Sequence, residues 1–139
     1  MIELTYTGDT VTVAANAGVP FNTVKKSSCA ERFEADTNTL TLKHPGRYLV
    51  TATANIAVPT GGTVGAVSLS LASNATPING TLATVTPAAA GEFFNAAMQA
   101  YIDVYCGCCK TVSLVNTSGI AVDVNNQNII AVRVGGLEG

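Results

Sequence analysis

Through most of this chain the apolar residues return at every second position, and each alternating run is cut short by turn residues. Alternation of this kind puts one face of an extended strand in a core and the other at a surface, and a helix cannot satisfy it. Leu4, Tyr6, Val11 and Val13 flank Gly8-Asp9, which reads as a tight hairpin turn or as a break within a first strand. Pro20 to Val24 reads as a short edge strand, and Ser27 to Ala35 as a loop with one helical turn. Leu40 and Leu42 alternate with threonines up to a turn at His44-Pro45-Gly46. A long strand follows from Tyr48 to Val58, ended by Pro59-Thr60-Gly61-Gly62. Val64 to Leu71 alternates again, Asn79-Gly80 has the composition of a type I′ turn, and Thr81 to Val85 continues beyond it. Thr86 to Glu92 is a loop.

Between Phe94 and Tyr105 two periods compete. Phe93, Phe94, Ala97, Met98 and Tyr101 fit a helical stripe, whereas Tyr101 to Cys106 alternates; strands on either side favour a long strand. Val112 and Leu114, then Val122 and Val124, then Ile130, Val132 and Val134 complete the series, with loops at Asn116 to Gly119 and Asn125 to Asn128. The expectation is an all-β, two-sheet sandwich of about eight to ten strands in one domain of 139 residues, with no internal repeat.

Its core must be built from small contacts, because tryptophan is absent and aromatic residues make up only 6%. Charge is sparse at 12%, and from Tyr48 to Gly91 there is no Asp, Glu, Lys or Arg. Either that segment is buried in the core and in a subunit interface, or it is a Thr/Ser-decorated surface exposed to water. A net charge of −2 with scattered basic residues gives no footprint for nucleic acid. No apolar run has the length of a membrane-spanning helix. Met1 to Thr5 lacks the basic-then-apolar pattern of a signal peptide, so the expected location is a virion or the extracellular space, reached by lysis or on a particle.

Gly46-Arg47-Tyr48 opens the long strand in HPGRYLVTATANI; VSLSLASNATPING ends in an Asn/Gly turn; AYIDVYCGCCKTVSLV runs through a tight corner; NQNIIAVRV follows an Asn-rich turn. Taken together, these four pieces resemble the C1q/tumour-necrosis-factor jelly roll. The resemblance covers about Leu40 to Val134, with residues 1–38 as an N-terminal strand and irregular segment and 39–134 as the jelly-roll core. It implies a homotrimer with one sheet turned toward a three-fold axis. Small stand-alone domains of this kind are similar to proteins of bacteriophages and prophages of gut Firmicutes, which implies capsid decoration, head-fibre or tail-tip roles and a phage capsid or fibre protein as partner.

Cys106-Gly107-Cys108-Cys109 is the sharpest local feature. Three thiols this close are suited to Zn²⁺ or Cu(I), and Cys29 is the remaining thiol. The spacing departs from C-x₂-C, and neighbouring strand residues point to opposite faces. A disulfide to Cys29 or between chains, a shared metal site in a trimer, and plain burial of small apolar residues around a glycine corner all remain open. His44, the lone histidine, precedes a proline in a turn, no nucleophile motif accompanies it, and no carboxylate pair has the arrangement of a glycosidase. Glu31, Glu34 and Asp36 are a weak calcium candidate against a solvated loop. Asn74, Asn79 and Asn116 head glycosylation-type triplets that read as turns, and no cofactor motif is found. These features point to a non-enzymatic structural protein. The alternative is a binding module that recognises a cell-surface glycan or protein through Pro59 to Thr63, Thr86 to Glu92 and Asn116 to Gly119, none of which contains an aromatic ring.

Overall fold

The computed structural model describes residues 1–26, 31–34, 38–105 and 109–136, with Lys26 and residues 31–34 described in their backbone only. They form β1 (Ile2–Thr5), β2 (Val11–Val13), β3 (Thr23–Lys26), β4 (Glu31–Glu34), β5 (Thr39–Leu42), β6 (Gly46–Ala57), β7 (Val67–Ser73), β8 (Thr76–Pro77), β9 (Ala83–Val85), β10 (Phe94–Val104), β11 (Lys110–Asn116) and β12 (Val122–Gly135). Two antiparallel sheets result. The first runs β10-β6-β12-β1-β3 with β2 added to β12; the second runs β4-β5-β11-β7-β8 with β9 added to β7. Strands distant in sequence lie side by side, the winding of a jelly roll, and the tally of twelve exceeds the expected eight to ten because β2, β8 and β9 are short.

Inward residues of both sheets, among them Leu4, Val50, Ile56 and Ile129 from the first and Leu40, Leu69, Leu71 and Leu114 from the second, join in one cluster. Phe21 and Tyr48 are its aromatic members. Tyr48 is fully buried, and its hydroxyl donates to the carbonyl of His44 at 2.9 Å, so the turn before β6 is fastened to the strand it opens. Gly46 explains the first residue of that motif. It sits at φ +147°, and a Cβ there would press on Arg133 Nε and come within 2.8 Å of the Gly135 carbonyl.

The central pair is β6 with β12. Its register runs from Asp123↔Ala57 to Asn125↔Asn55, then resumes at Asn128↔Thr53. Asn126, at φ +53°, is the extra residue of a β-bulge. One extra residue changes which parity faces inward. Val122 and Val124 are buried before the bulge, and Gln127, Ile129 and Ala131 after it. The reading of Asn125 to Asn128 as a loop is therefore corrected: the strand continues through it.

Other expectations shift for local reasons. Gly8-Asp9 breaks the first strand, since β1 and β2 each pair with β12 and not with one another. The edge strand placed at Pro20 to Val24 is found at Thr23–Lys26. Glu31–Glu34 pairs with β5 as a strand, replacing the helical turn expected there. Phe94–Val104 is a strand paired with β6 over its whole length, and no helix occurs among the described residues. The type I′ geometry, with positive φ at both central residues, belongs to Asn74 and Ala75 between β7 and β8; at Asn79-Gly80 only Gly80 has positive φ. Asn116 ends β11, buried, and its amide donates to the carbonyls of Val13, Ala14 and Ile120 at 2.9–3.1 Å. Ser118 is likewise buried and accepts from the Ser68 N–H at 2.7 Å. These residues tie the end of the sandwich together and do not form the exposed loop expected of Asn116 to Gly119.

Gly46→Ala is expected to cost about 1–3 kcal/mol, because the new Cβ meets backbone at a positive φ. Ala75→Gly is expected to do the opposite, raising stability by about 0.5 kcal/mol by relieving an alanine at φ +68°. Chemical denaturation of both variants checks the opposite signs. Asn116→Ala is expected to lose about 2–3 kcal/mol in the same measurement, since buried carbonyls lose their donor.

Candidate self-association face

The first sheet turns one face to the core and the other outward. The outward positions of β10, β6 and β12 form rows fixed by the register. Tyr101 lies across from Leu49, and Leu49 from Val132. Gln99, Thr51 and Ile130 make the next row, Ala97, Thr53 and Asn128 the third, and Asn95, Asn55 and Asn125 the fourth. No residue of these rows carries a charge, whereas an ordinary soluble surface has about 25–35% charged residues. Tyr101 is 64% exposed, and the neighbouring Val134 is 51% exposed. A small depression opens beside Ala97, between Thr51 and Gln99.

Charge sits only around the perimeter of this patch. Arg47 and Asp103 close it at one end in a two-point pair, with Nε to Oδ1 at 2.7 Å and Nη2 to Oδ2 at 2.9 Å. The Arg47 guanidinium also stands 5.8 Å from the centre of the Tyr101 ring. Asp123 accepts from Thr12 at the opposite end, and Glu3 meets Lys25 at 3.9 Å on β1 and β3. The hydrogen bonds from Arg47 hold the Asp103 carboxyl below its ordinary value, and Asp103 in turn raises Arg47. Asp103 thus faces outward, as expected from its strand position.

β10 is the free edge of this sheet. Among the described residues it pairs with β6 alone, and the register from Phe94↔Ile56 to Val104↔Gly46 is unbroken. It has no proline, no bulge and no lysine, and its one charge is Asp103 near its end. Those are the devices by which edges are normally kept from pairing with other chains.

The uncharged stretch from Tyr48 to Gly91 resolves into separate causes. In β7, Val67 to Ala72 are buried on both faces within the single chain. Leu69 and Leu71 join the core, while Ser68 lies under Thr117 and Ser118 and Ser70 under Thr81, each linked by hydroxyl hydrogen bonds. This portion needs no subunit interface. Thr60 to Val64 and the Asn74-Ala75 turn are exposed, as is β8 beyond it. Ile78 to Gly91 includes the exposed Leu82, and the outward side of β6 lies in the rows it shares with β10 and β12.

The other candidate residues are dispersed. Cys109 is free and exposed, while Cys29, Cys106 and Cys108 lie outside the described residues, so the metal and disulfide readings there remain expectations. No cluster of three or more metal-type ligands occurs among the described residues. Asp36 lies outside them, as do the side chains of Glu31 and Glu34. His44 is exposed in its turn. Pro59 to Thr63 and Thr86 to Glu92 lie side by side, joined by the Gly91 N–H donating to the Val58 carbonyl at 2.8 Å. No helix of the described residues is long and apolar enough to cross a membrane.

No family model matches the sequence, and no curated protein matches it. Among solved structures the chain is similar to the Eiger TNF of S. frugiperda, at 14% identity, covering 100% of this chain and 95% of that one with a TM-score of 0.74. It also overlaps the N-terminal CBM22-1–GH10 modules of Clostridium thermocellum endo-1,4-beta-D-xylanase 10B, solved with xylohexaose, at 15% identity over 96% of this chain and 26% of that one; the TM-score is 0.38 and nothing rests on it. The fold is a TNF-like jelly roll.

The Asp103 carboxyl is expected to titrate below the ordinary carboxylate range, and Arg47→Ala to raise it, as followed by carboxyl NMR. The pair's contribution to stability is present above the ordinary value and is lost as pH falls through the lowered one.

Proposed function

We propose that the chain is a non-enzymatic structural protein that assembles as a homotrimer through the outward rows of β10, β6 and β12. We further propose that it serves in a bacteriophage particle, as capsid decoration, head fibre or tail-tip protein, bound to a capsid or fibre protein. The observation that carries the trimer is the uncharged face itself, with Tyr101, Leu49 and Val132 in one row across β10, β6 and β12. Interface cores are depleted in charge and enriched in tyrosine, and an unprotected edge beside that face gives a second reason for it to be covered. A TNF-like winding at a TM-score of 0.74 is compatible with such an assembly. The virion assignment draws on the sequence resemblance to small phage-encoded jelly rolls.

The alternative, a module that binds through its end loops, has less support. Thr60 to Thr63 are exposed but uncharged and without a ring, and Phe93 is the only aromatic residue bordering the loop at Thr86 to Glu92.

Light scattering of the purified chain is expected to give the mass of a trimer at micromolar concentration, unchanged by reductant. Leu49→Glu is expected to give a monomer with the far-ultraviolet spectrum of the parent, because like carboxylates would meet across the contact. A parent chain that is monomeric overturns the trimer, and a mass that falls on reduction transfers its cause to the cysteines. Mass spectrometry of purified particles checks the virion role, which absence of the chain would overturn.

A further inference from the structure

At the end of the sandwich where β10 stops and β11 begins, a groove of about 330 Å³ opens along the edge strand β10. Tyr101, Asp103 and Tyr105 come to it from the first sheet, and Ser73, Ile78 and Lys110 from the β7–β8 hairpin and β11. It lies at the opposite end from Pro59 to Thr63 and Thr86 to Glu92, the loops where sequence reasoning looked for a binding surface.

Three properties of the groove specify a ligand. It has aromatic surface: Tyr101 and Tyr105 are 64% and 58% exposed, on one side of an extended segment and about 13 Å apart at ~3.3 Å per residue. Ring faces carry negative charge density that attracts the polarised C–H groups of a sugar ring. It has an unpaired cation: the Lys110 ammonium stands 5.8 Å from the centre of the Tyr105 ring and has no carboxylate within ion-pair distance among the described residues. The nearest acid, Asp103, has both oxygens engaged by Arg47, and its attraction to Lys110 acts at longer range, without an ion pair. Lastly, the free polar groups are hydroxyls and an ammonium, all able to donate, with Ile78 giving an aliphatic wall.

We propose that this groove is a binding site for an acidic saccharide, its sugar ring lying against Tyr105 and its carboxylate on Lys110. A neutral sugar would use the rings and hydroxyls alone. A simple anion would use Lys110 alone. The combination of ring faces with an unpaired ammonium is met by a carboxylated sugar, so both halves of the site are used. The groove shares Tyr101 with the proposed trimer face, but the two groups assigned to the sugar, Tyr105 and Lys110, lie outside the outward rows and are read by a different measurement.

The test is titration calorimetry and NMR on the full chain in its assembled state. Trigalacturonate and 3′-sialyllactose serve as acidic probes, with maltotriose and lactose as neutral controls. At least one acidic probe is expected to bind about tenfold more tightly than its neutral control, the gain of one charge-assisted contact. Lys110→Gln is expected to erase that preference while leaving the neutral control unchanged, and Lys110→Arg to keep it. Tyr105→Ala is expected to weaken both probe classes by about tenfold. Light scattering of each variant is expected to match the parent, which separates failure here from failure of the trimer. Absence of binding at millimolar concentration, equal affinity for acidic and neutral probes, or parental binding by Tyr105→Ala overturns the proposal. So does an oligo-glutamate peptide that binds more tightly than either sugar, or a change of mass in Tyr105→Ala, which would assign the ring to the subunit contact.

Discussion

The pairing of β6 with β12 is the contact from which the rest of the molecule is built. These are the longest strands, and the other strands of the first sheet build out from them: β10 on β6, β1 and β2 on β12, and β3 on β1. Their inward residues form one wall of the core, and their outward residues form the uncharged rows. A single residue keeps both assignments consistent. Asn126 changes the phase of β12 halfway, so that Val122 and Val124 face the core on one side of the bulge and Ile129 and Ala131 on the other. Without the extra residue, half of the strand would turn its valines or its isoleucine to water. Gln127, just past the bulge, is buried, with its amide donating to the Pro20 carbonyl at 3.0 Å, and this joins the bulge to the segment before β3.

The same residue shows what the sequence could and could not reveal. Alternation before and after Asn125 to Asn128 is plain in the chain, but a run of amides looks like a loop when no partner strand is known. The phase change between Val124 and Ile129 was the available clue, because two strands joined by a turn have no reason to keep complementary parity on one sheet. β10 was legible because strands on either side decided between its helical stripe and its alternating end, and β6 because a turn and an alternating run bracket it. Gly46-Arg47-Tyr48 was legible as a motif, while its cause, a fully buried tyrosine fastened to the preceding turn and a glycine lodged against β12, depends on contacts between distant residues.

The candidate surfaces were legible to a lesser degree. The charge-free stretch was evident, but its meaning was divided. β7 is covered by hydroxyl residues from Thr81, Thr117 and Ser118, which composition alone could not distinguish from a subunit contact. Val132 and Ile130, on the other hand, lie outside that stretch and complete the outward rows only through strand register. The tyrosine groove was hidden for the same reason. Tyr101 and Tyr105 read as strand residues, and Ser73, Ile78 and Lys110 reach them only once the two sheets are stacked.

The free edge of β10 bears on how such a molecule reaches its final form. A protomer that has just folded presents an unbroken strand without a proline, bulge or lysine to deter a neighbour. Correct association and edge-to-edge pairing are both collisions between two protomers, so dilution slows them equally and cannot select between them. Selection falls to relative rates, which depend on how quickly the uncharged rows dock. If protomers associate through the uncharged rows as proposed, the yield of assembled protein is a kinetic property of that surface and not a measure of how stable each protomer is.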